Sequence, residues 1–258
     1  MTHICHSSLK VMSYNIWFDE EKIIERILSL MHHVDTYSPD VMCFQEVLRD
    51  KYEYIKTKLK PKYGYCFPEL IKYRYGCAIF SKYPIDSAKI ISMTSSMGRE
   101  LILTKINVNN LNVVIANTHF ESEFKLNNVT KIKQFKLVAA ILNQLHHIYG
   151  DVILCADTNV VESEREIFKR QFCLMKDSFV EDGSLSEKEY TYDSMTNLNL
   201  RRRNIEFQSR IDRILFRTKG TMKVNNFSLL TGIDDYVQPS DHHGIMTEFS
   251  LLAQIKYN

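Results

Sequence analysis

Val41-Met42-Cys43-Phe44-Gln45-Glu46 runs four apolar residues straight into a carboxamide and a carboxylate. With Pro39 closing the segment before it, the run reads as a buried strand over 40–47, and its last polar residues appear where the strand leaves the core. A desolvated, unpaired carboxylate there costs on the order of several kcal/mol, so Glu46 calls for a cation. A lysine or arginine would meet that need. So would a hard divalent ion, and oxygen donors with ample water suit Mg2+, with Mn2+ as a substitute.

Four other polar signatures sit at the ends of apolar runs: Ser13-Tyr14-Asn15, Thr118-His119-Phe120-Glu121-Ser122, Asp157-Thr158-Asn159 and, near the C-terminus, Ser240-Asp241-His242. Their order repeats. A strand over 9–16 is followed by a helical pattern over about 20–37, with Ile23, Ile24, Ile27, Leu28 and Met31 on one face, and then by the Glu46 strand. Likewise a strand over 113–116 leads into Thr118-His119, a helix spans about 127–149, and a strand over 152–156 leads into Asp157. Further strands are predicted at 63–67, 77–80, 88–93 and 101–108, with Asn109-Asn110 as a turn, and at 211–216, 223–230 and 244–251. Two such halves packed sheet on sheet, with helices outside, predict an α/β fold. It is a four-layer α/β sandwich of two mixed sheets in a single domain over 1–258, with the active site at the strand ends.

At 258 residues, 45% hydrophobic and 25% charged, the chain can bury a full core as one domain. No run approaches the roughly 18 apolar residues of a membrane span, and Met1-Thr2-His3-Ile4-Cys5-His6 lacks the apolar stretch of a secretory signal. A nuclear or cytoplasmic protein with no membrane partner is expected, and a monomer. The six cysteines form no Cys-x-x-Cys pair, and Cys43 and Cys155 fall inside strand runs as small core hydrophobes, which sets zinc aside. A net charge of +2 is too small to capture nucleic acid at long range, so any phosphate must be held locally. The cations on offer are Arg99, the series Lys131, Lys133 and Lys136, and Arg201-Arg202-Arg203 with Arg210 and Arg213. Taken singly, each would otherwise be a solvated surface charge.

The spacing by two in Asp157-Thr158-Asn159 puts both polar side chains on one side of an extended chain. There the carboxylate can take a proton from water while the carboxamide positions it. An Asx-turn opening a helix near Ser163 is the plainer alternative. Ser240-Asp241-His242 with Arg210-Ile211-Asp212 offers an imidazole flanked by two acids; a carboxylate on one ring nitrogen fixes the tautomer and leaves the other to donate to a phosphate oxygen. His119 and Glu121 alternate with Phe120, so both are expected on the cleft side. His119 would donate to phosphate, and Glu121 would orient it or a lysine unless it makes a structural hydrogen bond.

In this order the motifs resemble the endonuclease/exonuclease/phosphatase superfamily over nearly the whole chain. Thr191-Tyr192-Asp193-Ser194-Met195-Thr196-Asn197-Leu198-Asn199-Leu200, with Thr118-His119-Phe120-Glu121-Ser122, Asp157-Thr158-Asn159 and Arg210-Ile211-Asp212-Arg213-Ile214, is similar to its 5′-tyrosyl-DNA phosphodiesterases. The resemblance implies a Mg2+-dependent enzyme that hydrolyses the bond between a topoisomerase tyrosine and a DNA 5′ end, leaving a 5′-phosphate. Its partner is a 5′-tyrosyl-linked DNA end, or RNA. The alternative is another phosphodiesterase of the superfamily: a nuclease, an apurinic-site endonuclease, or an RNA or tyrosyl-RNA phosphodiesterase. By motif position, Asn15 and Glu46, with Asp241 beside them, would hold the metal. Asp157 and Asn159 would activate and place the nucleophile, His242 and His119 would act on the phosphate, and Asp212 would orient His242. Tyr192, Leu200, Arg99 and Ser122 would line the substrate groove. A binding module that merely kept the fold would have lost a ligand position, and all are filled.

The chain departs from the family pattern in three places. Tyr192 stands for a tryptophan, Val161 for an arginine, and Glu123-Phe124-Lys125 for a segment with another arginine, so substrate grip is expected to differ. A first strand near Leu9 also implies that the N-terminal ubiquitin-binding module of animal relatives is not part of this chain.

Overall fold

The computed structural model describes residues 7–122, 128–183, 185–202, 206–232 and 237–252; Arg203 and Glu123-Phe124-Lys125 lie outside them. Alternation along the strands decides the layers. In β1 (Ser7–Asn15) Leu9 and Val11 face one way, Met12 and Tyr14 the other; β2 (Val41–Leu48) pairs with it in parallel and does the same. β3 (Tyr65–Phe67) and β4 (Tyr75–Ser81) extend this sheet. The second sheet holds β5 (Ile85–Ser92), β6 (Glu100–Val108), β7 (Leu111–His119), β8 (Asp151–Asp157) and β9 (Lys176–Asp177). β10 (Tyr192–Asp193) and β11 (Gln208–Ser209) pair with each other, β12 (Asp212–Arg217) joins the second sheet, and β13 (Met222–Leu230) and β14 (Gly244–Leu251) return to the first.

The sheets run β13-β14-β1-β2-β4-β3 and β5-β6-β7-β8-β12-β9. Each has one parallel pair at its centre, β1–β2 or β7–β8, with antiparallel neighbours on both sides. The strand, helix, strand repeat of the sequence is therefore a repeat of topology. The inner faces meet in a core that includes Leu9, Val11, Cys43, Ile115, Ile153 and Cys155. α1 (Ile23–Tyr37) and α2 (Arg49–Leu59) cover the outer face of the first sheet, and α3 (Val129–Tyr149) and α4 (Arg165–Gln171) that of the second. This is the expected four-layer sandwich; α5 (Ser178–Glu181) and α6 (Leu198–Arg201) are single turns on connections. α2 has no counterpart among the predicted elements. Its buried stripe, Tyr52, Ile55 and Leu59, is narrow and interleaved with lysines.

Along each inner row the core turns polar toward the C-terminal ends of the parallel strands. Leu9 and Val11 give way to Ser13 and Asn15, Cys43 to Gln45, Ile115 to Asn117 and His119, and Cys155 to Asp157. Buried groups of this kind persist only when they satisfy one another. Gln45 Nε2 donates across the two sheets to Asn117 Oδ1 at 2.8 Å, and Asn117 Nδ2 donates to the carbonyls of Phe44 (2.9 Å) and Ala78 (3.0 Å). Those carbonyls adjoin a β-bulge in which Gln45 and Glu46 together oppose Cys77. Asn117→Leu is therefore expected to destabilise the fold by about 2–4 kcal/mol, since it removes three hydrogen bonds from a dry layer and leaves Gln45 Nε2 only its longer contacts to Ser13 Oγ (3.2 Å) and the Cys43 carbonyl (3.3 Å). A lower urea midpoint at unchanged slope is the readout.

Candidate active site

β1, β2, β7 and β8 end on the same side of the sandwich, and strand register brings their last polar residues together. His119 and Asp157 are register partners across β7 and β8; Asp212, the first residue of β12, is the antiparallel partner of Asp157. Asp157, 1% exposed, is the hub. Its Oδ2 accepts from Asn15 Nδ2 at 2.9 Å and lies 3.3 Å from His119 Nε2 and 3.9 Å from His242 Nε2. Its Oδ1 accepts from the Asn159 amide at 3.1 Å, so the Asx-turn expected as an alternative is present, and the same carboxylate still faces the cleft.

The two histidines have opposite charge states. Arg99 Nη1 can only donate, so His119 Nδ1 at 2.9 Å accepts and the ring proton sits on Nε2, toward Asp157. Burial, and then the charge of Arg99, push the His119 pKa down to about 3, and the ring is neutral. For His242 burial also opposes the charge, but Asp212, Asp157 and Asp241 outweigh it and hold the pKa well above the usual range. His242 Nδ1 lies 2.9 Å from Asp212 Oδ2, which fixes the ring. Its Nε2 lies between Asp157 (3.9 Å) and Asp241 (4.0 Å), beyond hydrogen-bond distance of either. An imidazolium donor is thus aimed into the cleft.

Glu46 sits in the bulge with a left-handed backbone, φ 59°; Trp17 (61°) and Asn159 (48°) do the same where β1 and β8 end. Each costs on the order of 1 kcal/mol and is held by its surroundings. Glu46 Oε2 accepts from the Phe18 amide at 3.0 Å. Burial, and then the neighbouring Asp241 carboxylate, raise the Glu46 pKa to about 7. A divalent ion beside Glu46 and Asp241 would relieve that cost, so these residues fit a hard cation. Among the described residues, Asp157, Asp212 and His242 also offer ligand atoms within 4.8 Å of one another. An imidazolium whose Nδ1 is committed to Asp212 repels a cation, which favours the Glu46 side. Asn15 is largely committed: beyond the bond to Asp157, its Oδ1 accepts from the Trp17 amide at 2.9 Å.

The model of the Endonuclease/Exonuclease/phosphatase family matches residues 12–242. The chain belongs to the endonuclease/exonuclease/phosphatase family. It is accordingly a metal-dependent phosphodiesterase, with the family's α/β sandwich. Among curated proteins it is similar to tyrosyl-DNA phosphodiesterase 2 of Xenopus tropicalis, 27% identical over 256 residues, covering 95% of this chain and 67% of that protein. The human protein of the same name is 26% identical, with 95% and 69% covered. Solved structures with the same fold include tyrosyl-DNA phosphodiesterase 2 (TDP2) of Danio rerio complexed with single-strand DNA product, TM-score 0.83 at 22% identity, covering 95% of this chain and 99% of that one. Truncated TDP2 of Caenorhabditis elegans gives TM-score 0.83 at 25% identity, with 94% and 97% covered.

Within this endonuclease/exonuclease/phosphatase site, the segment 191–200 is clamped to the start of β12 and to the loop 240–243 that carries His242. Thr191 Oγ1 accepts from the Asp212 amide (3.0 Å), the Thr191 carbonyl accepts from the His243 amide (2.7 Å), and Asn197 and Asn199 Nδ2 donate to the Ser240 carbonyl at 3.1 and 3.0 Å. Tyr192 is carried to the cleft, its ring 4.9 Å from His242 at 67°. Leu200 is not: the same clamp turns it fully inward, whereas Met195 and Leu198 are 60% and 49% exposed. Arg99 is 5% exposed, its Nη2 lies 3.4 Å from Ser122 Oγ, and it backs His119 while lining a small concavity with Glu46, Tyr75 and His119.

Glu121 does not line the cleft. β7 ends at His119, the alternation stops there, and the Glu121 carboxylate accepts from Ser95 and Ser96 hydroxyls (2.7 Å each) and Gln134 Nε2 (3.0 Å). Lys131 is buried in the family scaffold, donating to Glu164 (2.9 Å) and to the Asn159 carbonyl (2.8 Å), where it steadies the turn after Asp157. Lys133, Lys136, Arg201 and Arg202 are solvated surface charges. Arg210 and Arg213 pair with Asp177 away from the cleft. Asn117 and Thr191 escaped the sequence reading as site supports, although Asn117 stands two residues before His119 and shares its face.

Proposed function

We propose that the chain is a Mg2+-dependent 5′-tyrosyl-DNA phosphodiesterase that hydrolyses the ester between a topoisomerase-derived tyrosine and a DNA 5′ end, leaving a 5′-phosphate. The observation that carries it is Tyr192, an aromatic ring 4.9 Å from the His242 imidazolium in an edge contact, on a segment bonded to the loop that carries His242. The curated relatives named tyrosyl-DNA phosphodiesterase 2 support the same reading.

Water attacks phosphorus and gives its proton to Asp157, while Asn159 places it. The P–O bond to tyrosine breaks, and the phenol, with a pKa of about 10, leaves as phenolate with little proton assistance. His242, held in line by Asp212, donates through Nε2–H to a non-bridging oxygen as charge grows there, and His119 Nε2–H, 3.3 Å from Asp157, turns to a second one once Asp157 has taken the proton from water. Glu46 and Asp241 would hold Mg2+, which would supply neutralisation of phosphate charge. The protein acts as a monomer in the nucleus or cytoplasm, where its free thiols stay reduced.

The test is cleavage of 5′-tyrosyl DNA, 3′-tyrosyl DNA, 5′-tyrosyl RNA and abasic duplex side by side. Release of tyrosine from the first, with a ligatable 5′-phosphate, is expected. Inactivity on it, with cleavage of abasic duplex or tyrosyl RNA, assigns another activity of the family. Tyr192→Ala is expected to cost about 1–3 kcal/mol of affinity for a single-stranded 5′ end, seen as a higher KM.

A further inference from the structure

A second concavity, of about 400 Å3, lies at the edge of the second sheet, between α4, α5 and the outer face of β12. It falls in the size range of small-molecule sites. Arg213 and Leu215 alternate with Asp212 and Ile214 along β12, so this cavity and the hydrolytic cleft lie on opposite faces of one strand. Its walls are the rings of Phe168, Phe172 and Phe179.

The cations there have only shared or exposed partners. Arg210 and Arg213 both donate to one oxygen of Asp177, at 2.7 and 3.1 Å, so the two guanidiniums share a single hydrogen-bonded carboxylate beside aromatic surface. The guanidinium of Arg210 lies 4.6 Å over Phe179 and that of Arg213 5.3 Å over Phe168. Arg213 is 5% exposed, and its Nε has no hydrogen-bond partner. Arg165 and Lys169 add two more cations at the rim, where their glutamate partners are exposed and neutralise them weakly; among the described lining residues only Asp177 and Glu189 oppose these four cations. Burial, and then Arg210, push the Arg213 pKa down to about 10, a cost that apolar packing would avoid.

We propose that this cavity binds a small organic anion with a flat apolar body, an aromatic carboxylate or an aryl phosphate, its charged group against Arg210 and Arg213 and its ring among the phenylalanines. Cys173 also lines the cavity and is exposed, which gives a local reporter independent of the hydrolytic site.

The full chain is alkylated with N-ethylmaleimide in the presence of 2-naphthoate, 2-naphthyl phosphate or neutral 2-naphthalenemethanol, and Cys173 is followed by peptide mass mapping. At least one anion is expected to slow Cys173 modification saturably, by about fivefold or more, while the neutral ring does not; the two anionic arms separate carboxylate from phosphate. Arg210→Gln should abolish the protection. If that variant does not fold, Lys169→Glu on the exposed rim should weaken the apparent affinity by about threefold or more. No protection by either anion, equal protection by the neutral ring, or undiminished protection in folded Arg210→Gln overturns the site.

Discussion

Asp157→Asn is expected to lower kcat on 5′-tyrosyl DNA by about two to four orders of magnitude with little change in KM. The substitution keeps the shape of the hub but removes its charge, and it puts an amide N–H where Asn15 Nδ2 and His119 Nε2 both present protons. His242→Ala is expected to cost a similar factor, because the imidazolium donor is lost while the rest of the cleft stands. The two should not add: once either is gone, the remaining group has no developing charge to act on, so the double variant should be little slower than the worse single one. Single-turnover hydrolysis with melting curves on each variant is the measurement. A folded variant turning over near the wild-type rate removes that residue from the chemistry.

Chelation of divalent ions is expected to abolish hydrolysis, and Glu46→Gln to raise the half-saturating Mg2+ concentration by about ten- to a hundredfold. The pH dependence identifies the ligand. With its pKa near 7 in the ion-free protein, Glu46 holds a proton below that pH, and the cation must displace it. Half-saturating Mg2+ should therefore rise by about tenfold per pH unit below 7 and level off above it. In Glu46→Gln that slope should vanish. Activity that survives EDTA excludes the ion; a half-saturation constant independent of pH between about 6 and 8 excludes Glu46 as its proton-linked ligand.

Much of the site was legible because an apolar row that turns polar at i+2 marks a strand end facing a cleft. That rule located Asn15, His119 and Asp157; Glu46 was marked by its place where an apolar strand ends, and His242 with Asp212 by an imidazole set beside two acids. It failed where the strand itself stopped: Glu121 follows His119 by two residues, but β7 has already ended, and its oxygens are taken by Ser95, Ser96 and Gln134. Leu200, carried over by resemblance, and Lys131, one of the cations on offer, are of types that suit a groove, but their surroundings bury them. No local signal separates a lysine that meets phosphate from one that meets Glu164.

By itself the sequence determined the layers. Period-two burial, helical stripes and the punctuation of Pro39 or Asn109-Asn110 are local properties, and they specify two strand, helix, strand halves with polar tips. Only the tertiary structure decided which tips meet. Asn15 and Asp157 are 142 residues apart, Gln45 and Asn117 72, and Asp212 and His242 30, and each pair exists because strand register and sheet packing bring one donor within reach of one acceptor. A hydrogen bond is short and directional, so a shift of one residue in register would leave the same side chains buried without partners; the charge states of His119, His242 and Glu46 follow from that placement.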